Sequence, residues 1–196
     1  MMGVQRREHT RAQPANGPAT GLKERNTMAD GIESLLARDA IRDLARRYSH
    51  GVDRLDAAVM KSAYWPDATD DHGVFVGNAW EFVDHCMTSH ARFRSTMHCI
   101  FNHSIELADD DVTATGEVYN VSYLVSLDGT VIDTWLGRYL DRYERRGDEW
   151  RIAHRVCVHE ADRREQVTAM PIASERFRQG TFDRGGATTL SGDPPG

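Results

Sequence analysis

Asp53 is a carboxylate with no ordinary duty in the stretch "YSHGVDRLDAAVMKSAYWPDATDDHG", residues 48–73. Asp56 is easily placed, because it precedes "AAVMKSAY" and can cap that helix by accepting from its free N–H groups. Asp53 stands three residues earlier, beside Val52 and just past Gly51, where the first helix is expected to end. A carboxylate in apolar surroundings is costly unless it is paired. The candidate partners are histidines and arginines on strands, where residues of equal parity share a face. In "TMHCIFNHSIEL", Thr96, His98, Ile100 and Asn102 fall on one side, and Met97, Cys99, Phe101 and His103 on the other. In "WRIAHRVCVHE", Arg151, Ala153, Arg155 and Cys157 oppose Ile152, His154, Val156 and Val158.

The same spacing rules prune other chemistries. On straight strands, His98 and His103 point to opposite faces, as do His154 and His159. His85 and His90 miss the i,i+4 spacing of a helical zinc pair, so no metal is expected, although "DDHG" could offer ligands. Cys99 adjoins His98 but faces away from it, which argues against a Cys–His nucleophile. No G-x-S-x-G elbow or phosphate-cradling glycine loop is present. Lys23 and Lys61 are the only lysines, beside 22 arginines, which leaves few candidates for a Schiff base.

Apolar positions from Ile32 to Tyr48 form a helical stripe. A second helix is expected over 57–64, stopped by Pro66, then a strand over 68–76. "NAWEFVDHCMTSHA" reads as a third helix capped by Asn78. The period then changes to two over 96–107, 112–127, 131–145 and 150–159, with hairpin signals at Asp128-Gly129 and Gly147-Asp148. Helices followed by a meander predict an α+β fold, a cone-shaped curved antiparallel sheet with the N-terminal helices enclosing a pocket.

At 196 residues the chain suits one domain, expected over 28–165 with Met28 as a candidate start. Residues 1–27 carry five basic and two acidic residues without an apolar segment, and read as a disordered arm. Residues 166–196 read as a tail disordered at its end. The net charge of −6 opposes non-specific nucleic-acid binding. No apolar run is long enough to span a bilayer. Three cysteines without framework spacing point to a reducing cytoplasm.

Together, "YSHGVDRLD", "YWPDATDDHG", "MHCIFNHSIEL" and "GRYLDRYERRGDEWRIAHR" resemble a SnoaL-like domain of the nuclear-transport-factor-like superfamily. The resemblance covers about residues 31–160. It is strongest toward hexachlorocyclohexane dehydrochlorinase, bile-acid 7α-dehydratase and, more distantly, scytalone dehydratase. It implies that Asp53 orients His98, that His98 abstracts a proton, and that Arg155 and Tyr48 complete the catalytic set. The dehydrochlorinase has a lysine at the position of Tyr48, so that substrate is not implied here. A middle-strand acid of the dehydratases falls at Asn120, where this chain carries an amide. Substrate contacts are expected from Trp65, Thr96, Asn120 and Trp135. The implied activity is that of a lyase, dehydratase or isomerase working without a cofactor on a small, apolar, ring-containing substrate. The alternative is a non-catalytic binding or assembly module, as in ring-hydroxylating dioxygenase small subunits. Val121, Tyr123 and Val125 are expected on the outer face of the sheet, which predicts a homo-oligomer, a dimer or trimer.

Overall fold

The computed structural model describes residues 27–177, together with Gly180 and Phe182. Residues 1–26 of the expected N-terminal arm and the "GGATTLSGDPPG" end lie outside the described residues, and Thr27 already belongs to the first helix.

The chain opens with α1, Thr27–Arg54. Its buried stripe is Ile41, Leu44, Ala45, Tyr48 and Val52, and Ser49 and Asp53 extend it at helical spacing. The helix does not end at Gly51. A Cβ there would lie 2.5 Å from the Met60 backbone nitrogen, so this glycine serves a close approach between helices. The end comes at Leu55, in the left-handed conformation at φ 50°, with the Asp56 N–H donating to the Gly51 carbonyl. Ile32, Leu35 and Leu36, read as part of the stripe, are exposed.

Helix α2 spans Ala57–Lys61 and is capped by Asp56, which accepts from the Val59 N–H. It is shorter than expected, because Tyr64 already belongs to β1, Tyr64–Asp71. Pro66 sits inside this strand, where the pairing with β6 (Glu149–Gln166) shifts register and a missing N–H costs little. A short β2, Val76–Asn78, forms a hairpin with β1, and Gly73 takes the turn at φ 71°. Helix α3, Ala79–His90, follows with Asn78 capping Trp80 and Glu81, as the sequence indicates.

Strands β3 (Phe93–Leu107), β4 (Thr113–Ser126), β5 (Val131–Arg146) and β6 complete the meander. The fold is α+β, with three helices against a curved sheet ordered β2-β1-β6-β5-β4-β3. Two features depart from the sequence reading. The sheet is mixed, because β1 runs parallel to β6, and it stays unclosed. The cone is thus an open cup, with its hydrophobic core between α1, α3 and the concave face.

Two bulges re-aim side chains. A register shift between Ile100 and His103 on β3 turns His103 and Ile105 inward, onto the face of Thr96 and His98. On β6, a shift beside Ala153 places Ile152 and Arg155 both inside. Strict parity, which assumes straight strands, puts His103 opposite His98 and Ile152 opposite Arg155.

Candidate active site

The end of α1 delivers Asp53 to β3. The His98 Nδ1 lies 2.7 Å from Asp53 Oδ1. The His98 backbone N–H donates to Oδ2 at 2.8 Å, and the Thr96 hydroxyl donates to Oδ1 at 2.9 Å. Burial alone would raise the Asp53 carboxyl. The His98 ring, the His98 backbone N–H and the Thr96 hydroxyl outweigh it and hold the group below its ordinary range. An ionised Asp53 keeps the Nδ1 proton in place, which leaves Nε2 as the nitrogen able to take a proton from a substrate. Thr96 is therefore committed to the carboxylate, where the sequence reading had it facing substrate.

Tyr48 is buried two turns before the end of α1, with its ring edge-on to His98 at 6.5 Å between centroids. Burial, followed by the neighbouring Tyr139 and Tyr64, pushes its hydroxyl well above the ordinary phenol range, so it holds its proton. Arg155 lies above the Tyr48 ring at 4.5 Å and above the Tyr139 ring at 4.0 Å. Both atoms of the Asp141 carboxylate receive its Nε and Nη2 at 2.7 Å, and its Nη1 has no hydrogen-bond partner among the described residues. Its charge is thus already neutralised, and the Nη1 N–H groups are what remain to meet a developing anion.

Asn120 is buried on the same concave face. Its amide donates to the Tyr139 hydroxyl and accepts from Ser122 at 2.9 Å. Ser122 pairs with His98 on one side and with Trp135 on the other, which puts Trp135 in the same row across the sheet. Its ring leans on His159 at 4.5 Å. Trp65 does not join this group. Arg146 and Arg151 stack on its ring at 4.8 and 4.9 Å, and its indole N–H goes to the Glu144 carbonyl.

Three neighbours had no role assigned from sequence. His90 stands 5.7 Å from the His98 ring, and burial, then the His98 charge, lowers it to about 4. His103 bonds the Tyr143 hydroxyl at 3.0 Å, and Tyr143 bonds Asp141. His72 contacts Asp70 through Nδ1 and approaches the Tyr48 hydroxyl through Nε2 at 3.4 Å. The signal for this last pair was an Asp-x-His spacing, which puts both side chains on one face of an extended segment.

Among the described residues, no group of three or more His, Cys, Asp or Glu could hold a metal ion. Two grooves on the outer face, one by Glu106 and Arg142 and one by Phe101 and Arg138, do not reach the Asp53–His98 pair. No helix among the described residues is long and apolar enough to cross a membrane.

A family model described as a SnoaL-like domain matches residues 33–156. No curated protein sequence matches the chain. Among solved structures, the fold is similar to a candidate scytalone dehydratase from Novosphingobium aromaticivorans, at 16% identity and TM-score 0.63, over 71% of this chain and 94% of that one. It is similar to hexachlorocyclohexane dehydrochlorinase LinA-type3 from Novosphingobium barchaimii, at 19% identity and TM-score 0.64, over 72% of this chain and 99% of that one. It is also similar to the beta subunit of a candidate aromatic-ring-hydroxylating dioxygenase from N. aromaticivorans, at 19% identity and TM-score 0.54, over 65% and 92%. At these identities the likeness is one of fold.

Proposed function

The chain belongs to the SnoaL-like domain family, and on that premise we propose that it is a cofactor-independent lyase of the dehydratase kind. The substrate class is a small, apolar, ring-containing molecule with an acidic C–H beside a carbonyl. The observation that carries this reading is the Asp53–His98 pair: a buried carboxylate with three donors, fixing an imidazole in the tautomer a base requires. His98 removes the proton, Tyr48 faces the departing oxygen, and the Nη1 of Arg155 meets the enolate. Isomerisation is the same chemistry with the proton returned to another carbon.

The second reading is a binding or assembly module. It is favoured by the apolar outer face, where Phe101 is 58% and Tyr123 42% exposed, and by the likeness to a dioxygenase beta subunit. A panel of cyclic β-hydroxy ketones separates the two. Turnover that disappears in His98→Ala supports the lyase. Saturable binding of the panel without turnover assigns the pocket to the binding module. Neither binding nor turnover removes the ring-ketone substrate class.

A further inference from the structure

We propose that Asp70 and His72 form a second acid–base pair of the same site, supplying the leaving-group proton through Tyr48. This rests on the lyase reading above.

The first support is the matching of each buried carboxylate with a partner. Asp53, Asp70 and Asp141 are all buried, and buried carboxylates require partners. His98 serves Asp53, and Arg155 is taken up by both oxygens of Asp141. Asp70 receives the Tyr64 hydroxyl at 2.7 Å, and His72 is the ionisable group in contact with it, as His98 is for Asp53.

The second support is geometry. His72 stacks on Phe82 at 4.1 Å and 22°, which fixes its ring plane. Its Nδ1 is held by Asp70, so Nε2 points to the Tyr48 hydroxyl. Tyr48 therefore stands between two Asp–His pairs, with His98 at its ring edge and His72 at its hydroxyl. Such a phenol is poorly suited to act alone: burial disfavours the phenolate it would leave behind. Replacing its proton as it departs avoids that state. The His72 ring meets Asp70 on β1, Tyr48 on α1, Phe82 on α3 and Tyr139 on β5. Asp70 in turn has Tyr64 and Cys86 beside it, and Arg155 on β6 lies over the Tyr48 and Tyr139 rings.

The step balances. The His98 Nε2 takes the carbon-bound proton and leaves its electron pair as the enolate. The enolate then re-forms the carbonyl, the pair becomes the C=C bond, and the C–O bond breaks. The leaving oxygen takes the Tyr48 proton while the His72 Nε2–H moves to the Tyr48 oxygen, and water departs. His98 then holds one proton more and His72 one fewer, and solvent returns the difference. Because it works through Tyr48, His72 is a positioning and relay residue.

Ring-nitrogen NMR of the full chain, labelled at histidine, tests this without a substrate. The expected result is an Nε2–H on His72 whose signal moves in Tyr48→Phe, and loss of that proton in Asp70→Asn. An Nε2 without a proton, or one indifferent to Tyr48→Phe, overturns the relay. Kinetics add a second arm, using a β-hydroxytetralone and its acetate ester, both of which eliminate to a fluorescent naphthol. Acetate leaves without an acid. His72→Gln should slow loss of water on the order of 10²-fold and leave loss of acetate nearly unchanged, whereas equal slowing of both overturns the relay. His98→Gln should slow both. If it slows neither, the lyase reading fails, and the NMR result still judges the Asp70–His72–Tyr48 contact on its own.

Discussion

Arg155 and Asp141 hold each other by two hydrogen bonds of 2.7 Å, with neither side chain exposed. Two charges are balanced inside a core of tyrosine rings, so removing one partner strands the other. Asp141→Ala should destabilise the fold by about 3–5 kcal/mol, the usual cost of an uncompensated buried charge. Urea unfolding measures it. A loss below about 1 kcal/mol would mean that water reaches the Arg155 guanidinium. Arg155→Ala should show the same loss, so its effect on turnover has meaning only alongside a stability measurement.

The buried imidazoles set the response to acid. Burial is the larger influence on both His90 and His103 and lowers each to about 4, from an ordinary value of 6.5. Between those values the unfolded chain binds protons at these rings that the folded chain refuses. Stability should therefore fall as pH drops from about 6.5 toward 4. Asp53 acts in a lower window: its depressed carboxyl contributes stability above the ordinary carboxylate range, lost as pH falls through its folded value. His90→Phe should flatten the upper part of the urea-midpoint profile. An unchanged slope would show that His90 binds its proton equally in the folded and unfolded chain.

The outer face of the sheet predicts assembly. Met97, Phe101, Tyr119, Tyr123, Leu136 and Leu140 are each more than a third exposed. Val121, Tyr123 and Val125 alternate with buried Asn120 and Ser122, which gives β4 one face for the cup and one for the outside. A dimer or trimer at micromolar concentration is expected by sedimentation, and Tyr123→Glu should shift it toward monomer. A wild-type monomer would leave this face without the proposed use.

What the sequence made legible was periodicity and composition. Four long strands, the Asn78 cap and the outward set on β4 follow from local pattern. What it hid was set by tertiary context. Gly51 looks like a stop, yet it is a contact with Met60, so Asp53 belongs to the last turn of α1. Two bulges reverse parity for His103 and Ile152, and no local signal marks them. The sequence marks Arg155 as a strand arginine and, through the family resemblance, as a member of the catalytic set. The buried Asp141 that claims it lies 14 positions away on another strand, where spacing alone gives no hint.

The candidate base has a close internal control in its neighbour. Cys99 adjoins His98 on β3 but follows the opposite parity, and no hydrogen bond ties it to Asp53. With any cyclic ketone that is turned over, His98→Ala should lower kcat/KM on the order of 10²–10⁴-fold, the range of general-base catalysis. Cys99→Ala should stay near wild type. Asp53→Asn should be slowed severely while folded, because an amide can present its NH2 to Nδ1 and favour the tautomer with the proton on Nε2, where a base needs a lone pair. The pH profile carries the sign: activity should fall as acid protonates His98, and Asp53→Asn should change that limb as well as the plateau. Equal activity in His98→Ala, Cys99→Ala and wild type, all folded by circular dichroism, would remove the base from this site and leave the binding module in its place.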